Sequence, residues 1–316
     1  MSTFPDQLSQ WGGVPVGVNP FYNKIIRSNL NKRGKAWFVD PNQGGGNGSS
    51  PGSAFSTMAE VFSRLSSGDI IYFIGKITEQ LVTPVQVFDV TVIGCGNRPR
   101  HADSAPAGGQ YATAQWAPPA SGGTAAQATV RVLQQGWRFV NILFTSIDAN
   151  AGCIELVRNA ASGDDERDAS HCEIIGNRFS GTGIGVKIGA TSFTENVFNA
   201  LIAGNTFNSM SQAIYATSCQ PNCIQILDNQ MLLNTKHITA KLQSSVVKGN
   251  TIGPFTASGN SGGIDLTGGV ATNVVTLNYL SGTYSVAGGY VSAGGGDEWA
   301  GNMNVTAGGW TAADPA

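Results

Sequence analysis

Charge is scarce in this chain: only 12% of its 316 residues are Asp, Glu, Lys or Arg, about half of the ~25% usual for a globular domain. The two signs nearly cancel, leaving a net charge of −2. That balance excludes a general electrostatic footprint for nucleic acid or for an anionic membrane surface. Histidine is scarcer still, with only His101, His171 and His237. The five cysteines (Cys95, Cys153, Cys172, Cys219 and Cys223) are an odd, scattered set. They make neither a disulfide framework nor a zinc pattern, because Cys219 and Cys223 are spaced C-x-x-x-C with no second pair nearby. Buried free thiols in a protein made in a reducing cytosol are expected, with no metal and no cofactor. No apolar run approaches the ~20 residues that span a bilayer, and the N-terminus has no hydrophobic signal region. Neither membrane insertion nor a signal peptide is therefore expected. The sequence also contains no H-E-x-x-H and no P-loop, since Gly44–Gly48 lacks the lysine of a phosphate cradle.

What is present in excess is glycine, 42 residues of 316, nearly twice the usual share of ~7%. It punctuates a short phrase that recurs from Cys172 onward: CEIIGNRFSG, ALIAGNTFNS, IQILDNQMLL, SVVKGNTIGP, NVVTLNYLSG and, more weakly, EWAGNMNVTA. The recurring Asn falls at Asn177, Asn205, Asn229, Asn250, Asn278 and Asn302, spaced by 28, 24, 21, 28 and 24 residues. Repeats of this length imply a solenoid whose units bury their apolar faces only against neighbours. Within each copy apolar residues alternate, and no helical period survives the Gly and Asn, so the units are strands. The predicted fold is all-β, a parallel β-helix of roughly ten rungs, about 50 Å long at ~4.8 Å per rung. The Asn residues are expected at the left-handed bends between strands, with their side chains stacked in a structural ladder.

Three segments follow from this periodicity. Residues 1–34 are irregular, with Phe4, Trp11, Phe21 and Tyr22, and the stretch from Lys24 to Lys35 holds Lys24, Arg27, Lys32, Arg33 and Lys35 with no acid among them. They read as a docking or anchor segment. Residues 35–310 form the β-helix, and 311–316 a short tail. At the head of the β-helix, a strand near Ala36–Val39 precedes a turn cluster and a helix from about Thr57 to Leu65. Thr57 and Glu60 are spaced as a capping box, and Phe55, Met58, Val61, Phe62 and Leu65 make one apolar face. Such a helix covers the flat apolar end of a solenoid.

This opening carries a resemblance. Trp37, Val39, Asp40, Gly46, Gly48, Pro51, Ala54 and Phe55, then Gly68, Asp69, Ile71 and Gly75, are similar to the start of pectate-lyase-like right-handed β-helix proteins, in particular bacteriophage tailspikes and virion proteins. The resemblance implies a right-handed coil, a homotrimer and a place in the virion, with the N-terminal segment meeting other virion proteins.

Candidate chemistry is thin. The densest acidic stretch, NAASGDDERDAS at 159–170, interrupts the repeat and holds Asp164 and Asp165. Paired carboxylates there, with Glu173 following, are the candidate general acid and base for a glycosidic bond. Gly163–Asp164–Asp165 is similar to the G-D-D of polygalacturonases, but their G-H-G, R-I-K and N-T-D elements are missing. Glu155, Glu173 and Asp228 would share one strand column if their registers coincide, while Asp228, which replaces the Gly of its repeat, reads as a turn residue. Tyr111 and Trp116, in a small-residue loop over 101–129, and Trp299, near the C-terminal end, are the candidate glycan-stacking rings. Sparse acids favour binding over cleavage. The expected function is a tailspike-like appendage that recognises host surface polysaccharide. A structural virion part without a glycan ligand and a polysaccharide depolymerase are the alternatives.

Overall fold

The computed structural model describes residues 34–43, 45–96, 114–120, 127–146, 148–159, 167–190, 194–253, 263–270, 272–281, 290–291, 296–306 and 309–312. Through them the chain winds around three sheets. The first has ten strands, from Ala36–Val39 to Glu298–Ala300. The second also has ten, from Lys76–Thr78 to Gly309–Ala312, and the third has eight, from Leu81–Val82 to Tyr290–Val291. One coil runs Glu173–Ile175, Arg178–Gly181, Ile184–Ile188 and returns to the first sheet at Leu201–Ala203. Neighbours within each sheet pair in parallel, one coil on the next. The exception is Met303–Thr306, which pairs antiparallel with Gly309–Ala312 and folds a hairpin over the last edge. That hairpin runs to Ala312, so Thr311 and Ala312 belong to the sheet and not to a separate tail. The architecture is the right-handed parallel β-helix.

Inward-facing residues form continuous columns. In the second sheet the column reads Ile77, Trp116, Phe144, Phe179, Phe207, Met231, Ile252 and Leu280, all buried. Its rings stack with centroids at 5.9 Å (Trp116–Phe144), 5.5 Å (Phe144–Phe179) and 4.6 Å (Phe179–Phe207). Trp116 is thus a core residue, not a loop ring available for sugar. Gln115–Trp116–Ala117 is a three-residue strand, and its Nε1 donates to the Glu79 carbonyl at 3.0 Å. Three residues between a small-residue stretch and two prolines are too few to show an alternation.

The Asn ladder is present, with its geometry shifted by one residue from the expected place. From Asn205 to Asn302, each Asn Oδ1 accepts from the backbone N–H of the Asn one coil earlier, at 2.9–3.0 Å. Each Nδ2 also donates to a first-sheet carbonyl, as Asn229 does to Ile202 at 2.9 Å. The left-handed residue is the one before the Asn: Gly176, Gly204, Asp228, Gly249, Leu277 and Gly301, with φ between 54° and 69°. Asn141 (φ 57°) occupies that bend position and Ile142 the ladder position, where its N–H donates to Asn177.

The N-terminal end is closed by α1 (Met58–Phe62), shorter than the sequence suggests. Thr57 and Glu60 form the capping box. Glu79 adds a carboxylate to the same terminus, accepting from Met58 N at 2.8 Å and Ala59 N at 2.9 Å. Phe62 drops onto Trp116 and Trp137. The opening motif is scaffold: buried Asp69 accepts from Lys35 N, Trp37 Nε1 and Ser66 N at 2.7–2.9 Å. A Cβ on Gly48 would lie 2.2 Å from the Phe55 ring, so this position admits glycine alone.

Candidate functional site

The outward face of the third sheet is where side chains of distinct chemistry line up. Its strands alternate strictly: Val130–Arg131–Val132, Ile154–Glu155–Leu156, Val186–Lys187–Ile188, Ile214–Tyr215–Ala216, Ile238–Thr239–Ala240 and Ile264–Asp265–Leu266. The flanking apolar residues point into the coil, so the central ones point out. Registered pairing stacks them in one column, Arg131, Glu155, Lys187, Tyr215, Thr239 and Asp265, one coil apart.

Glu155 lies between two cations in this column. Its Oε2 is 2.5 Å from Arg131 Nε, and its Oε1 is 3.3 Å from Lys187 Nζ. The carboxylate is 2% exposed, while both cations reach solvent. Burying a carboxylate this far from water is costly unless ion partners accompany it, as Arg131 and Lys187 do here. Lys187 Nζ also donates to the Asn150 carbonyl at 3.4 Å. The triad carries one net positive charge, followed along the axis by an aromatic ring, a hydroxyl and a further acid. It can offer hydrogen bonds, a cation pair and a stacking surface at intervals of ~4.8 Å.

The acidic interruption of the repeat sits beside this face. Arg158–Asn159 and Arg167–Asp168 pair as the base of an antiparallel hairpin where the third sheet hands over to the first. Asp168 accepts from Gln135 Nε2 and from Ser170 N, and lies 3.7 Å from Arg158. Arg158 also meets Glu195 at 3.9 Å and stacks on the Phe198 ring. Asp164 and Asp165 lie outside the described residues, as does Tyr111.

The remaining candidates are dispersed. Glu173 is on the outward face of the first sheet, paired with Arg138 at 3.1 Å. Glu155 is on the third sheet and Asp228 is in a left-handed bend, in keeping with its reading as a turn residue, so the three acids share no column. A column runs across coils at one register position, and these three acids occupy three different positions of their coils. Trp299 pairs with Val275 in the first sheet, half-buried against the core at the C-terminal end. It closes the stack instead of presenting a ring outward. Among the described residues, no three His, Cys, Asp or Glu side chains cluster as a metal set. All five cysteines are free. Burial pushes the Cys153 and Cys172 thiols up to about 12 and that of Cys219 up to about 11. Cys223 departs from the expected burial, being exposed in a left-handed bend. No described helix is long and apolar enough to cross a membrane.

No protein-family model matches the sequence, and no curated protein matches it either. Among solved structures the chain is similar to the pectin methylesterase from Aspergillus niger, at 15% identity over 85% of each chain with a TM-score of 0.50. It is also similar to a pectate lyase, at 12% identity over 86% of this chain and 76% of that one, TM-score 0.41. A third is the tailspike protein of E. coli bacteriophage HK620 in complex with a pentasaccharide, at 11% identity over 83% of this chain and 53% of that one, TM-score 0.32. At such identity the likeness is one of fold.

Proposed function

We propose that this protein is a tailspike-like virion appendage that binds a host surface polysaccharide along the outward face of its third sheet. The observation that carries the reading is the column Arg131–Glu155–Lys187–Tyr215–Thr239–Asp265. Its members sit on rigid strands, at a repeat suited to successive sugar units of an extended chain. The two solvent-reaching cations favour a polymer bearing carboxylate groups, and Tyr215 supplies the ring on which a pyranose stacks. The opening motif's similarity to phage virion proteins adds to the reading.

Cleavage is the second reading, carried by the acidic stretch at 159–170, with Asp164 and Asp165 as candidate acid and base. Both readings meet in one experiment: purified protein is incubated with a panel of host surface polysaccharides, and both retention and polymer length are read. Retention at unchanged length, weakened about tenfold by Tyr215→Ala, is expected; that factor corresponds to ~1.4 kcal/mol. Chains that shorten with the parent protein but not with Asp164→Asn/Asp165→Asn make it a depolymerase. Neither retention nor shortening on any polymer overturns both readings and leaves a structural virion part.

A further inference from the structure

Charge on the third sheet alternates with the coil. Val130–Val132 carries Arg131, Gly152–Leu156 carries Glu155 and Ile184–Ile188 carries Lys187. Gln212–Ala216 carries no charge, and Ile264–Asp265 carries Asp265. Between these two, Lys236–Ala240 carries Lys236, with Lys241 directly after it. The strands of Arg131, Lys187 and Lys236 are thus cationic and hold no acid. Those of Glu155, Tyr215 and Asp265 hold an acid or no charge, and no cation. Lys241 faces outward with the column, because Ala240 and Leu242 on either side of it are core residues. The pairing of Ala216 with Ala240 sets it beside Thr217 of the coil before. Lys236 and Lys241 are half-buried, and among the described residues neither lies within ion-pair distance of a carboxylate. Cations therefore recur on every second coil, at intervals of about 9.6 Å.

We propose that the polymer this face takes carries a carboxylate on every second sugar, as an acidic disaccharide repeat. The inference rests on the reading that the third sheet binds polysaccharide, and it names the class of polymer. With one sugar of an extended chain over each coil, alternate sugars fall on Arg131, on Lys187 and on the strand of Lys236 and Lys241. At each of these a carboxylate gains a charge-assisted hydrogen bond. The sugars between fall over buried Glu155, the Tyr215 ring and Asp265. A neutral sugar stacks there or donates its hydroxyls. A second carboxylate finds no cation on those strands and, on two of the three, an acid. The same column that admits the alternating polymer therefore selects against one that is acidic at every unit.

The test compares the binding of three polymers to the full chain at low salt. Hyaluronan bears a carboxylate on alternate sugars, polymannuronate on every sugar and carboxyl-reduced hyaluronan on none. Hyaluronan should bind about tenfold more tightly than either of the others, the scale of a few solvent-exposed ion pairs. Binding of polymannuronate or of the reduced polymer as tight as that of hyaluronan overturns the inference, and so does a failure to bind hyaluronan. Two variants outside the Arg131–Glu155–Lys187 triad add a readout that leaves the buried carboxylate undisturbed. Lys241→Gln should weaken hyaluronan binding about threefold and leave the reduced polymer unaffected. Thr217→Lys places a cation on the neutral strand between Lys187 and Lys241, and should narrow the preference over polymannuronate; a preference that stays the same or widens counts against the alternation. A host polysaccharide that is retained while hyaluronan is rejected defeats this inference alone. Rejection of every polymer defeats the polysaccharide reading with it.

Discussion

The bend before each ladder Asn shows how one residue's backbone preference is written into the repeat. Four of the six ladder coils place Gly in the left-handed conformation there, but Asp228 and Leu277 do so with a Cβ. A side chain in that region costs about 1–2 kcal/mol, and Leu277, 59% exposed, recovers little of it by packing. Leu277→Gly should therefore raise stability by about 1 kcal/mol, allowing for the looser unfolded chain that glycine brings; a lower denaturation midpoint would contradict this. His237 makes the opposite kind of contribution. It is fully buried beside Asn234, with Nδ1 3.2 Å from the amide nitrogen, and burial lowers its pKa to about 3. The unfolded chain takes up a proton below ~6.5 that the folded chain refuses, so stability falls as pH drops from there toward 3. Between pH 6.5 and 4.5 the loss should approach ~2–3 kcal/mol. Chemical denaturation of the parent and of His237→Gln at the two pH values isolates it: the variant should lose less on acidification.

At the scale of the element, the strand and its turn were legible for different reasons. The Asn phrase was readable because a buried amide that bonds both the next coil and a neighbouring strand tolerates almost no substitute. Asn229, for instance, accepts from Asn205 and donates to Ile202 and Asn250. Asn229→Ala strands the Asn205 N–H and the Ile202 carbonyl away from water, and should cost about 2–4 kcal/mol by equilibrium unfolding. Phe207→Ala, which removes a ring stacked 4.6 Å from Phe179, should cost about 3–5 kcal/mol. The outward column of the third sheet leaves a signal in the sequence that spacing alone does not expose. Val-Arg-Val, Ile-Glu-Leu, Val-Lys-Ile and Ile-Tyr-Ala are the same apolar–variable–apolar strand. The connections between them differ in length, so no fixed spacing marks the variable residues as neighbours; only the paired register does. Trp116 was misread for the converse reason, since a core ring on a three-residue strand leaves no local pattern.

At the scale of the molecule, a solenoid is held together coil by coil, so its stability need not be uniform along the axis. The coils from Gln115–Ala117 to Thr206–Asn208 share the aromatic stack, and those from Asn177 onward share the ladder. The two overlap at Asn177 and Asn205, where each coil gains both ring stacking and amide bonding. Toward the C-terminus the rings give way to Met231, Ile252 and Leu280, and the ladder ends at Asn302. There Trp299 is only half-buried, and Val270, Val274 and Leu277 are exposed. A homotrimer of the 32.8 kDa chain, the assembly that the tailspike resemblance implies, would be read by sedimentation equilibrium, and it bears on the gradient directly. In a lone protomer, amides of Ile174 and Ile202 should be the slowest to exchange, and those of Val275 and Trp299 about a hundredfold faster or more, a difference of ~2.7 kcal/mol in opening free energy. If three copies associate through that apolar C-terminal exterior, the difference shrinks as protein concentration rises, because assembly stabilises only the folded coils it covers. A steep gradient that ignores concentration would instead leave the C-terminal coils uncovered, and the trimer, if formed, would have to close elsewhere.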